Sequence, residues 1–134
     1  MIRKLMLIDD DAGFRALVKS NLEATGEFQV VATADAENAV TLAKIVSPDL
    51  IFLDMVMPGM DGLTAADNLM LDSYTKDIPV AFLTSLDIAP DALRMNGKFS
   101  DLHIISKSAG TGELIESAEK ILQARKAHRN LPVK

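Results

Sequence analysis

Four short apolar runs in this chain lead directly into residues that could do chemistry. Asp9 and Asp10 follow Leu5 to Ile8, Asp54 follows Leu50 to Leu53, Thr84 and Ser85 follow Val80 to Leu83, and Ser106 and Lys107 follow Leu102 to Ile105. Carboxylates brought together repel, and without compensation one of them is driven to hold a proton. A divalent cation removes that cost. Hard oxygen ligands in small number, beside a polar edge with room for water, suit Mg²⁺ better than a closed calcium cage. The chain has no cysteine, and no nearby histidine invites zinc. Such an ion keeps the acids ionised and neutralises the oxygens of a phosphoryl group during in-line displacement. A carboxylate in that setting can itself be the nucleophile and form an aspartyl-phosphate. Lys107 then serves as a point charge on the phosphoryl oxygens, the Thr84 hydroxyl donates to the same group, and small Ser85 leaves room for entry.

Each of these residues has an ordinary explanation when taken singly. An aspartate at a strand end often caps a helix, a threonine after a strand means little, and an isolated lysine is usually solvated. Their joint order is what argues for a site, since acid pair, acid, hydroxyl and ammonium follow the first, third, fourth and fifth runs. The turn-rich segment Met55 to Gly62 supplies backbone carbonyls close enough to add a metal ligand, with Pro58 and Gly59 fixing the turn. Met55, Met57 and Met60 read as loop and core packing, not as a soft-metal site.

The elements that must position these groups follow from hydrophobic period. The four runs above and Phe28 to Ala32 are candidate strands, mostly too continuously apolar to leave one face in water. Between them lie segments of helical period. Phe14, Leu17, Val18 and Leu22 mark one helix, and Ala36, Ala39, Val40, Ala43 and Ile45 a second; Asp11 and Asp35 are their expected caps. Leu63 to Leu71 forms a third helix, and Leu114, Ile115, Ala118, Ile121 and Leu122 a last one. Between the fourth and fifth strands, Pro90 can start a helix that Asn96-Gly97 stops after barely two turns. Five strands and five helices with right-handed crossovers give an α/β fold, a doubly wound three-layer α/β/α sandwich around a five-stranded parallel sheet. In such sheets the ligand site lies beyond the carboxyl ends of the strands, where the acids fall.

Composition bounds the rest. The 134 residues, 49% hydrophobic and 25% charged, suit one globular domain able to fold without staples. Expected boundaries are residues 1–127, with 128–134 a basic tail or the start of a linker. Four apolar residues before the first aspartates are too few for a signal peptide, and no segment is long enough to span a bilayer, so a cytoplasmic protein without membrane contact is expected. A formal charge of -5 disfavours direct nucleic-acid binding, and the basic end formed by Lys120, Arg125, Lys126, Arg129 and Lys134 reads as a solvated helix face.

Two stretches resemble response-regulator receiver domains of two-component signalling: Leu5 to Asp11 with Arg15 following, and Pro48 to Gly62. The resemblance covers essentially the whole chain. It implies the flavodoxin-like, receiver-type strand order 2-1-3-4-5, and phosphoryl transfer to Asp54 from a sensor histidine kinase or histidine phosphotransfer protein. It further implies Mg²⁺ held by Asp10 and Asp54 directly, by the Val56 backbone carbonyl, and by Asp9 largely through water. Thr84 and Lys107 would be the hydroxyl and ammonium that engage the phosphoryl group. The output would be altered affinity for a downstream protein, with a homodimer allowed, through a surface built from the fourth helix, fifth strand and fifth helix. The domain would not be an enzyme proper, assisting only its own Mg²⁺-dependent phosphoryl transfer and dephosphorylation.

The chain departs from the family on that output surface. Ile104 stands where a switching aromatic is usual, Ser108 replaces the proline after the lysine, and the customary glycine-alanine pair before the fifth strand is not evident. Ile104 reads as a core strand residue. His103, of opposite strand parity, is expected at or near the surface, not as a ligand. Two other functions compete: a Mg²⁺-dependent phosphohydrolase, which would need a substrate cap and usually an acid where Val56 stands, and a scaffold that works without phosphorylation.

Overall fold

The structure is a computed structural model that describes residues 2–57, 59–85, 103–108 and 110–129. Along the chain run β1 (Arg3–Ile8), α1 (Ala12–Ala24), β2 (Phe28–Thr33), α2 (Ala39–Val46), β3 (Leu50–Asp54), α3 (Gly62–Leu71), β4 (Val80–Thr84), β5 (His103–Ser106) and α4 (Thr111–Arg129). All pairings are parallel, and the sheet order is β2-β1-β3-β4-β5. The expected fold is therefore present. The expected helix between the fourth and fifth strands, with Pro90 and Asn96-Gly97, lies outside the described residues, as does Pro58.

Side chains alternate across each strand, so a strand buried on both faces must be apolar throughout. One core layer joins Leu5, Leu7, Leu50, Phe52, Ala81, Leu83 and Ile105 to Val18 and Leu22 of α1 and Leu114, Ala118 and Ile121 of α4. The other joins Met6, Ile8, Ile51, Leu53 and Phe82 to α2 and α3 through Ala39, Ala43, Ala65, Ala66 and Leu69. The second layer uses alanines, which let α2 and α3 approach the sheet closely. Truncating fully buried Phe52 or Leu7 to alanine would cost about 2–5 kcal/mol in lost burial and residual cavity.

Three expectations need correction. Asp35 does not cap α2: its Oδ1 accepts from the Asn38 amide at 3.3 Å, closing a turn before the helix, and Asn38 is the N-cap residue. Leu17 and Ile45 are 56% and 75% exposed, so they lie off the buried stripes. Ile45 is two residues from buried Ala43, which turns it about 200° around the helix. Asp11 does cap α1, accepting from the Phe14 amide at 3.1 Å.

On β5, Ile104 packs against the α2 and α3 layer while His103 is exposed, as strand parity requires. The Lys107–Ser108 peptide is trans, and the described residues contain no cis bond. Arg3 at the start of β1 makes a two-pronged pair with Glu119 and lies 4.6 Å from the Phe28 ring centroid, tying α4 to the sheet. Among the described residues, no helix is long and apolar enough to cross a membrane.

Candidate functional site

The carboxyl ends of β1, β3, β4 and β5 meet at one edge of the sheet. Asp9 follows β1, Asp54 ends β3, Thr84 ends β4 opposite Ser106, and Lys107 follows β5. Backbone bonds lock these ends together: Met55 N donates to Leu83 O at 3.0 Å and Lys107 N to Thr84 O at 2.8 Å. Asp9 and Asp54 are buried, Asp10 is exposed, and one oxygen from each lies within 4.8 Å of the others. Thr84 is buried at the same edge.

Lys107 Nζ sits between two of the acids, 2.6 Å from Asp9 Oδ2 and 3.2 Å from Asp54 Oδ2. Asp54 Oδ1 accepts from the Val56 amide at 3.2 Å, and Asp9 Oδ1 from the Asp11 amide at 2.9 Å. Asp9 Oδ2 is different. Its pairing with Lys107 falls outside hydrogen-bond geometry, and among the described residues it is the one buried side-chain oxygen or nitrogen with no hydrogen-bond partner. A buried carboxylate oxygen that has a counter-charge but no directed donor is incompletely compensated. A hard cation supplies what is missing, so this donor set, all oxygen and partly open at Asp10, fits a divalent metal.

Electrostatics agree with crowding. Burial pushes the Asp54 carboxyl above its ordinary value; the Val56 amide and Lys107 pull it back, while the charge of Asp9 adds to the rise. For Lys107, burial alone would lower the ammonium, but pairing with Asp9 and Asp54 outweighs it and the net direction is up.

Some contributors were not legible beforehand. Phe14, in the first turn of α1, places its ring centroid 4.9 Å from Lys107 Nζ. The Arg15 guanidinium donates to the Asp9 carbonyl at 2.7 Å. Asp61 caps α3 by accepting from the Thr64 amide at 2.7 Å. Gly62 N donates to Met55 O at 3.0 Å, and a Cβ there would lie 2.2 Å from the Asp54 carbonyl oxygen, so the loop closes over Asp54 only with glycine at this point. The Asp-Gly pair at 61–62 was the available signal for a cap and a close approach.

The response regulator receiver domain family matches residues 5–119. This chain belongs to that family. The receiver domain is 38% identical over 91 residues to the DNA-binding dual master transcriptional regulator RpaA of Synechocystis sp., an alignment covering 68% of this chain and 37% of that protein. It is 37% identical over 94 residues to the phosphate regulon transcriptional regulatory protein PhoB of Escherichia coli, covering 70% and 41%. The domain thus spans well under half the length of these relatives. Among solved structures, the chemotaxis protein CheY4 of Vibrio cholerae superposes with a TM-score of 0.81 over 90% of this chain and 99% of that one, at 22% identity, a likeness of fold. The receiver domain is therefore a homologue of the response regulators of two-component systems, a family in which phosphorylation falls on an aspartate.

Proposed function

We propose that Asp54 is the phosphoryl acceptor of this receiver domain, and that Asp9, Asp10, Asp54 and the Val56 carbonyl hold Mg²⁺ during the transfer. The observation that carries this reading is the position of Asp54, which shares Lys107 with Asp9 and lies in the acid cluster with Asp10. When bound, Mg²⁺ would neutralise the carboxylates and the phosphoryl oxygens.

The chain's own residues have separate tasks. An oxygen of the Asp54 carboxylate attacks phosphorus of a phosphohistidine in a sensor kinase or phosphotransfer protein. The new Asp–O–P bond forms as the P–N bond breaks, and the departing imidazole nitrogen takes a proton from water. Lys107 balances charge on the transferred group and the Thr84 hydroxyl donates to it. Neither needs to be consumed, so their effect is on the rate and on the lifetime of the product. The consequence is a changed affinity for a downstream protein. Charge of -5 disfavours nucleic acid as the direct partner of the domain itself.

Incubation with Mg²⁺ and acetyl phosphate, followed by intact-mass measurement, tests the reading. Wild type gains one phosphoryl increment and Asp54→Asn gains none. Absence of any increment, with no transfer from a phosphorylated kinase either, would favour a scaffold, and rapid turnover of unrelated phosphate esters would favour a hydrolase.

A further inference from the structure

Among the described residues, the charged end of Lys107 meets two acids and one aromatic ring. The ring is that of Phe14, whose centroid is 4.9 Å from Nζ. That distance lies within the roughly 6 Å over which a ring face attracts a cation. The lysine backbone is fixed by its bond to Thr84 O, but its four-carbon stem would let the ammonium leave the carboxylates for water. Phe14 is held on its side by the Asp11 cap on its amide and by packing against the α1 and α4 core layer. The ring is therefore held beside the same ammonium that meets Asp9 and Asp54.

We propose that Phe14 is a positioning residue for phosphoryl transfer, its ring face holding the Lys107 ammonium toward Asp9 and Asp54. This rests on the reading of Asp54 as acceptor. A third carboxylate at the same place would also hold the ammonium, but it would add negative charge where a phosphoryl group must arrive. An aromatic face attracts the cation without adding net charge. An aliphatic residue of similar size would fill the space and lose the attraction.

Two measurements decide it. The rate of mass gain with acetyl phosphate and Mg²⁺ is compared for wild type, Phe14→Leu and Phe14→Tyr. Phe14→Leu is expected to react roughly three- to tenfold more slowly, the scale of a partly exposed cation–π contact, and Phe14→Tyr to stay near wild type. Equal rates for all three, or tyrosine as slow as leucine, would overturn the proposal, the latter because packing alone would then explain the loss. Independently of any phosphorylation, the Hε protons of Lys107 in the unsubstituted protein should be shifted upfield by the ring current relative to the other lysines, and the shift should vanish in Phe14→Leu. Ordinary Hε shifts in wild type would overturn the proposal even if the leucine variant did not fold. Should wild type gain no phosphoryl group while the ring-current shift is present, the acceptor reading fails and the Phe14–Lys107 contact stands.

Discussion

Lys107 pairs more closely with Asp9 than with Asp54: its Nζ is 2.6 Å from Asp9 Oδ2 and 3.2 Å from Asp54 Oδ2. The ammonium thus serves a fully buried acid, besides standing beside the proposed acceptor. Removing it leaves Asp9 Oδ2 without its counter-charge. Lys107→Met should destabilise the metal-free domain by about 1–3 kcal/mol, the cost of an uncompensated buried polar group. Added Mg²⁺ should recover part of the loss. Chemical denaturation with and without Mg²⁺ checks both, and an unchanged midpoint would show that the pair contributes nothing to the fold.

Asp54 should act in the opposite sense. Burial raises its folded-state pKa above the unfolded value, so the stability linked to its protonated form is fully present below about pH 4 and is lost as pH rises through the folded value. At neutral pH without Mg²⁺, ionised Asp54 costs stability. Asp54→Asn should therefore melt higher than wild type at pH 7.5, and the gap should close as pH falls through the raised pKa. Paired melting curves across pH 4 to 8 (a roughly 4-unit span around the carboxylate range) read this directly, and a gap that widens on acidification would reverse the assigned direction.

Gly62 makes a steric prediction. A methyl group 2.2 Å from the Asp54 carbonyl oxygen cannot be absorbed by a side-chain rotation, because the obstacle is backbone. Gly62→Ala should cost about 1–3 kcal/mol and push the start of α3 away from the end of β3, which carries Asp54. Comparison of denaturation midpoints with Gly26→Ala distinguishes the two causes, since nothing lies within 4 Å of a Cβ at Gly26 and its cost comes only from positive φ.

Val56 bears on duration. Its side chain is 60% exposed, two residues beyond Asp54, and carries no group to orient an attacking water. We expect slow self-dephosphorylation, and replacement by Asn or Glu should shorten the phosphorylated lifetime. A lifetime of seconds for the unsubstituted domain in Mg²⁺ buffer, followed by mass spectrometry, would refute this.

The strands were readable because burial on both faces forces unbroken apolar runs, and the acids were readable because each run stops abruptly at a polar residue on the same edge. Helix faces were less so. Leu17 and Ile45 fit a count of apolar residues but not the angle of the buried stripe, and Asp35 satisfies a turn that ends just before α2 begins. The site's supports were hidden for a different reason. Phe14 meets Lys107 only because α1 packs beside α4 on one face of the sheet, which has no local signature, and Gly62 is demanded by a loop crossing over the Asp54 carbonyl, for which the Asp-Gly pair was the one local hint. Ile104 was legible as core from strand parity alone.

The identity of the acceptor is tested most directly by locating the phosphoryl group. The domain is phosphorylated with acetyl phosphate and Mg²⁺, reduced with borohydride so that an acylated aspartate becomes homoserine, and digested for peptide mass spectrometry. Homoserine is expected at position 54 alone. Homoserine at position 9 or 10, or a phosphorylated domain with aspartate intact at 54, would contradict it.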